Sequence, residues 1–111
     1  MQKTIELFMQ EYVLSTDIQA RYVDLISEVG ELGKEINTST DYGTRTYEVT
    51  ASTQEELGDC IFSLLALCVS LKIDAKQALQ EAMLKYELRF HEKGHVGSKP
   101  VSCEKMASSE R

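Results

Sequence analysis

Residues 52–71 read Ser-Thr-Gln-Glu-Glu-Leu-Gly-Asp-Cys-Ile-Phe-Ser-Leu-Leu-Ala-Leu-Cys-Val-Ser-Leu, and this stretch decides the fold class. Ser52 and Glu55 stand at capping-box spacing, in which a hydroxyl and a carboxylate satisfy free amides at a helix start. From there Leu57, Ile61, Phe62, Leu64, Leu65, Leu67, Val69 and Leu71 leave almost no polar face. A helix of that kind is buried on most of its circumference. A chain of 111 residues has few other elements with which to cover it. The pattern therefore predicts a bundle completed by packing between subunits, at least a dimer.

The flanking sequence predicts three more helices and no strand, so the fold class is all-α, a four-helix bundle. Ile5, Phe8, Met9 and Tyr12 recur at helical spacing over residues 4–14. A second helix starts near Asp17 and runs to about Ile36, with Leu25, Val29, Leu32 and Ile36 as its apolar stripe. Asp74 and Gln77 repeat the capping logic for a fourth helix that ends near Gly94. Between the second and third helices, residues 37–51 are polar and rich in Thr; a loop and a short local element both fit. Gly30, Gly33 and Gly58 fall inside predicted helices, where each costs ~1 kcal/mol relative to Ala, so close approach of a helix or a ligand is expected there. One domain is expected over residues 1–96, followed by a frayed tail over residues 97–111.

Composition narrows the function. Eighteen Asp and Glu against twelve Lys and Arg give a formal charge of −6, the wrong sign for a partner that binds a nucleic-acid strand through its backbone. The longest apolar run, residues 60–71, is interrupted by Ser63 and Ser70 and falls short of the ~18–20 residues of a membrane helix. Glu6 and Glu11 break up the N-terminal apolar residues, unlike a signal peptide. Cys60, Cys68 and Cys103 form no CxxC pair, and the first two lie in the most apolar segment, as small core residues do. A cytoplasmic setting is expected, which leaves the sequon at residues 37–39 without a role.

Acidic residues cluster on two of the helices. At 100° per residue, with Asp24 at zero, Glu28 falls at about 40°, Glu31 at about −20° and Glu35 at about 20°. The apolar stripe spans about 80–140°, so the acids border the buried face instead of opposing it. On the third helix, Glu56 and Asp59 are likewise three apart, at the entrance of an otherwise apolar segment. Carboxylates next to a core are costly unless paired or metal-bound. With the two helices antiparallel, Glu28, Glu31, Glu56 and Asp59 converge, and four hard oxygen donors suit Mg²⁺ or Mn²⁺. A solvated acidic face is the competing interpretation, and Glu55 and Glu56 also complement a helix dipole without any function.

The segments carrying these acids, Ile26-Ser-Glu-Val-Gly-Glu-Leu-Gly-Lys34 and Glu55-Glu-Leu-Gly-Asp-Cys-Ile-Phe62, closely resemble the MazG-like nucleotide pyrophosphohydrolases of the all-α NTP pyrophosphatase superfamily. The mark of that family is EExxE, a variable spacer and ExxD. Here twenty-four residues separate Glu31 from Glu56. The likeness extends over about residues 1–97, including Lys85-Tyr-Glu-Leu-Arg-Phe90, which looks like the family's closing helix. The resemblance implies Mg²⁺ held by Glu28, Glu31, Glu56 and Asp59, and hydrolysis of nucleoside triphosphates between the α and β phosphates to a monophosphate and pyrophosphate, in a homodimer or homotetramer that clears unwanted nucleotides. Ser27 replaces the first Glu of the motif. That departure leaves room for a non-catalytic helical protein of the same fold that binds a nucleotide or a partner.

Cations are also needed to hold a triphosphate. Lys85, Arg89 and Lys93 recur every four residues as a grip for the distal phosphates or, equally, as a basic helix end facing its own dipole. Lys34, one turn beyond Glu31, is a weaker candidate for the same task. Among the aromatics, Phe8, Tyr12, Tyr42 and Tyr47 are suited to stack on a base, or to sit in core or loop. His91-Glu-Lys-Gly-His95 matches the HExxH zinc signature, but Gly94 falls where the helix should stop, and no third ligand follows outside the tail.

Overall fold

A computed structural model describes residues 1–94, and within them the chain is helical with no strand. Four helices follow in order: α1 (Gln2–Glu11), α2 (Ile18–Ser39), α3 (Ala51–Leu71) and α4 (Ala75–Lys93). This is the all-α architecture expected. The anticipated tail, with Cys103, lies outside the described residues, as does His95. The chain divides into two compact units, Met1–Asp74 and the segment from Ala75 onward.

In the first unit α3 is the common partner, packing against both α1 and α2. Met9 of α1 and Leu65 and Ala66 of α3 are its buried apolar residues, and Ser63 is buried with them. Phe8 and Phe62 meet edge to face, ring centroids 5.8 Å apart, and join α1 to α3. The Gln2 side chain donates to the Ile73 carbonyl at 2.7 Å, tying the start of α1 to the end of α3.

The helix ends follow local chemistry that differs in places from the expected boundaries. α1 stops at Glu11, short of residue 14, because the chain turns into a Schellman motif: Leu14 N–H donates to Met9 O and Val13 N–H to Gln10 O, with Val13 at φ 53°. α3 ends in the same way, Ile73 N–H reaching Cys68 O while Lys72 takes φ 57°. Asp17 caps α2, its carboxylate accepting from Ala20 N–H at 2.9 Å. α3 begins one residue before Ser52, and its capping box is made by Thr50 and Thr53 instead of Ser52 and Glu55. Thr50 has the extended backbone that an N-cap requires, and a second threonine returns the hydrogen bond as well as a Glu would.

The undecided segment resolves as a turn followed by an extended approach to α3. Thr40 is its hub: its hydroxyl donates to Ile36 O at 2.9 Å, and its carbonyl accepts from the Gly43, Thr44 and Arg45 amides. Asp41, Tyr42 and Gly43 take positive φ in succession, which reverses the chain tightly after α2.

One packing expectation is corrected. α2 turns a face midway between its two stripes toward α3, so Leu25, Leu32, Glu28 and Glu35 are half-buried while Val29 and Ile36 are exposed. The acids do not merely border the packed face; they are part of it. α3 leaves Leu57, Ile61, Leu64 and Leu71 between 41% and 49% exposed, in line with the expectation that a single chain of this size can hardly cover it. Within the chain no neighbour crowds the helical glycines: a Cβ at Gly30, Gly33 or Gly58 would meet nothing within 4 Å among the described residues.

Candidate metal-binding site

Glu28 lies mid-way along α2, and Glu56 and Asp59 lie in the second and third turns of α3. Each of the three offers a carboxylate oxygen, and these oxygens lie within 4.8 Å of one another. Glu28 and Glu56 are half-buried and Asp59 is exposed, so the cluster opens to solvent on the Asp59 side. Glu31, the fourth acid anticipated, is exposed one turn beyond Glu28 and outside this group. Its charge is nonetheless felt at Glu56.

The electrostatics show the strain of gathering these acids. Burial pushes the Glu56 carboxyl above its ordinary range, and the charges of Asp59, Glu31 and Glu28 push it further the same way. A hydrogen bond with Asp59 adds to that, since one shared proton relieves the repulsion. A divalent cation would relieve it more completely. Cys60, next in sequence to Asp59, is raised by burial and then by Glu28, Asp59 and Glu56. Cys60 is not one of the grouped side chains, and among the described residues the donor set is carboxylate oxygen alone. Hard carboxylate oxygens suit a hard divalent cation better than a soft one. Asp24, on the same stripe of α2, is already engaged by Arg21 at 2.9 Å.

The other anticipated residues fall elsewhere. Lys34 is exposed on α2, and Ser27 is exposed beside Glu28. Lys85 and Arg89 lie one turn apart on α4, with the Lys85 ammonium 5.1 Å from the Tyr86 ring centre. α4 stops at Lys93 and Gly94 adopts φ 78°, so the helix ends inside the HExxH-like stretch. Of the aromatics, Phe8 packs on Tyr12 at 4.7 Å as well as on Phe62, Tyr42 is exposed, and Tyr47 is half-buried.

Sequence reasoning missed a polar cluster beside the carboxylates. Glu35 Oε2 accepts from Ser39 Oγ at 3.0 Å and from Thr50 Oγ1 at 3.4 Å. Tyr47 OH is hydrogen-bonded to Thr53 Oγ1, and its phenol is pushed up by burial and by the Glu35 charge. Glu35 was visible on the acidic stripe, but nothing in the threonine-rich segment said which hydroxyl would face it.

The α2–α3 pair on which these carboxylates converge also lies within the segment that comparison with known proteins matches. Residues 18–94 match the MazG nucleotide pyrophosphohydrolase domain. The chain belongs to that family. The match takes in the whole of α2, α3 and α4 and leaves out α1. The Bacillus subtilis (strain 168) protein named "Uncharacterized protein YpjD" is 34% identical over 85 residues, covering 74% of this chain and 72% of its own length. No solved structure matches the chain. No helix among the described residues is long and apolar enough to cross a membrane.

Proposed function

We propose that this MazG-family protein is a Mg²⁺-dependent nucleoside triphosphate pyrophosphohydrolase, with Mn²⁺ able to replace Mg²⁺. The observation that carries this reading is the convergence of Glu28, Glu56 and Asp59 oxygens within 4.8 Å on two packed helices. Those three side chains would hold the cation, with Glu31 supplying a fourth carboxylate from the rim. Bound there, a divalent ion supplies Lewis acidity toward the phosphate oxygens and lowers the pKa of water in its shell.

The remaining chemistry belongs to the chain and the substrate. Water adds to one of the two phosphorus atoms that share the α–β bridging oxygen, the bond from that phosphorus to the bridging oxygen breaks, the proton of the water passes to solvent, and the products are a nucleoside monophosphate and pyrophosphate. The carboxylates would hold the cation that the phosphates engage and accept hydrogen bonds from water oriented toward the reacting phosphorus, so catalysis is chiefly positioning and charge stabilisation. The same acids repel a bare triphosphate, which makes the substrate the nucleotide that arrives with its cation. Lys34, Lys85 and Arg89 are proposed to offset the charge of the distal phosphates.

The exposed Leu57, Ile61, Leu64 and Leu71 recur on α3 at spacings of four, three and seven, which is the seam of a helix that packs on another helix. This supports assembly as a homodimer or homotetramer. An acidic protein with half-buried free thiols at Cys60 and Cys68 suits the cytoplasm, acting on free nucleotides and not on a nucleic-acid strand or a membrane.

The test is pyrophosphate release from a panel of ribo- and deoxyribonucleoside triphosphates with and without Mg²⁺. Turnover that requires the cation and is abolished by Glu28→Gln or Asp59→Asn is expected. Turnover that survives both substitutions would overturn the assignment. Ser27, in place of the family's first motif Glu, favours a second reading: a protein that binds nucleotide without cleaving it. Calorimetric uptake of a triphosphate with no monophosphate formed would select that reading.

A further inference from the structure

The carboxylate cluster is spread over two helices, so its geometry depends on their register. Mg²⁺ sits at ~2.0–2.1 Å from its ligands and tolerates little departure from octahedral placement. Sliding one helix past another by a single residue moves it ~1.5 Å and re-aims its side chains. Backbone hydrogen bonds within each helix do nothing to prevent that. Whatever fixes α2 against α3 near the cluster therefore sets the cation site.

The Glu35 cluster has the right placement. Thr50 is the N-cap of α3, and its hydroxyl oxygen accepts from Thr53 N–H at 3.2 Å. That bond uses a lone pair, and the hydroxyl proton reaches Glu35 Oε2, 3.4 Å away on α2, when the 3.2 Å contact between Thr50 Oγ1 and Thr53 Oγ1 is donated by Thr53. Ser39 holds the same carboxylate oxygen from the α2 side at 3.0 Å. Thr53 Oγ1 accepts from Thr50 N–H at 3.1 Å and pairs with Tyr47 OH, so the connecting segment is bound into the same cluster. Glu35 lies seven positions beyond Glu28 along α2, about 10 Å, and Glu56 six positions beyond Thr50 along α3, about 9 Å. The clasp and the carboxylates thus lie at nearly equal distances along two antiparallel helices.

We propose that Glu35 is a positioning residue. By holding the N-cap of α3 against α2, it fixes the register that brings Glu56 and Asp59 to Glu28, without itself touching the cation or the substrate. The proposal rests on the reading of those three carboxylates as a divalent-cation site. It assigns to an acid outside the family's motif a role in cation affinity, and to the threonine-rich connection the role of delivering the partner hydroxyl.

The experiment measures Mn²⁺ affinity of the full chain from the paramagnetic resonance of free Mn²⁺, with helicity and Tm recorded in chelator. Four variants are compared: Glu35→Ala, Glu35→Gln, Thr50→Asp and the double variant Glu35→Ala/Thr50→Asp. Asp is a good N-cap, so Thr50→Asp keeps the α3 start but has no hydroxyl to donate. Glu35→Ala and Thr50→Asp are each expected to weaken Mn²⁺ binding about tenfold, the lower end for groups that orient metal ligands, while turnover at saturating Mn²⁺ is unchanged. Glu35→Gln, whose amide oxygen still accepts both hydroxyls, should restore most of the affinity. The double variant should be no weaker than either single one, because both cut the same link. A purely structural Glu35 would lower Tm and leave the Mn²⁺ affinity of the folded protein as it is in wild type, and that result overturns the proposal. Fully additive losses in the double variant overturn it too. Should Glu35→Ala fail to fold, Thr50→Asp and Glu35→Gln carry the comparison. Mn²⁺ binding lost in Glu56→Gln but intact in Glu35→Ala and Thr50→Asp removes only the positioning role; Mn²⁺ binding absent from wild type, or intact in Glu56→Gln, removes the cation site and this role with it.

Discussion

Glu28→Gln should change stability in opposite directions with and without metal. Glu28 has two carboxylate neighbours, its oxygen lying within 4.8 Å of one from each of Glu56 and Asp59. Two like unit charges at that distance repel by about 1 kcal/mol in a water-like medium and by about three to four times as much in a drier one. Asp59 is exposed, so the water-like value governs. Removing the Glu28 charge in chelator should therefore stabilise the metal-free protein by about 1–2 kcal/mol, a rise in Tm of roughly 5–10 °C for a domain of this size. With Mn²⁺ present the order reverses. A cation at one hundred times its dissociation constant adds ~2.7 kcal/mol to the protein that binds it and nothing to one that does not. Thermal melts of both proteins in chelator and then across a Mn²⁺ titration would show the curves crossing. A variant that melts below wild type in chelator, or that gains as much from Mn²⁺ as wild type does, refutes the reasoning that these carboxylates repel one another and hold a cation.

Other consequences follow from individual residues. Val13, β-branched at φ 53° and 88% exposed, holds a left-handed position that costs an L-residue ~1–2 kcal/mol; Val13→Gly should raise Tm by several degrees, and no change would mean the α1 turn is not strained. Glu56 is raised above its ordinary 4.5, so in metal-free protein the native state binds more protons than the unfolded one just above that pH. Its contribution to stability must then fall as pH rises through that window and recover as pH falls, and Glu56→Gln should remove this component from a pH series of denaturation curves. Leu64→Glu puts a charge in the exposed α3 seam and should shift the solution mass toward monomer by light scattering; an unchanged mass would place the subunit contact elsewhere.

Much of this architecture was legible because it rests on strong local signals. The apolar run after Gly58 and the periodic apolar residues of the earlier segments set four helices and excluded strands. Asp17 and Asp74 stand next to helix starts because short acceptor side chains at those points terminate the helix in one direction only. The convergence of Glu28 with Glu56 and Asp59 was foreshadowed by equal i,i+3 spacings on two helices that had to pack. What was not legible depended on tertiary choice. The rotation of α2 that half-buries Glu28 and Glu35 while exposing Val29 and Ile36 depends on which neighbour covers it, and periodicity alone marks only the more apolar stripe. Thr50, Ser52 and Thr53 are all competent caps, and only the path of the connection from Thr40 selects Thr50. Val13 and Lys72 gave no sign of their left-handed turns, because neither is a residue that favours them.

Hydrolysis of a triphosphate in H₂¹⁸O, with products resolved by mass, tests the central claim most directly. The account predicts cation-dependent formation of a monophosphate and pyrophosphate, one ¹⁸O carried by one of the two products, and loss of both products in Asp59→Asn. Products without label, release of orthophosphate in place of pyrophosphate, or undiminished turnover by Asp59→Asn would contradict it.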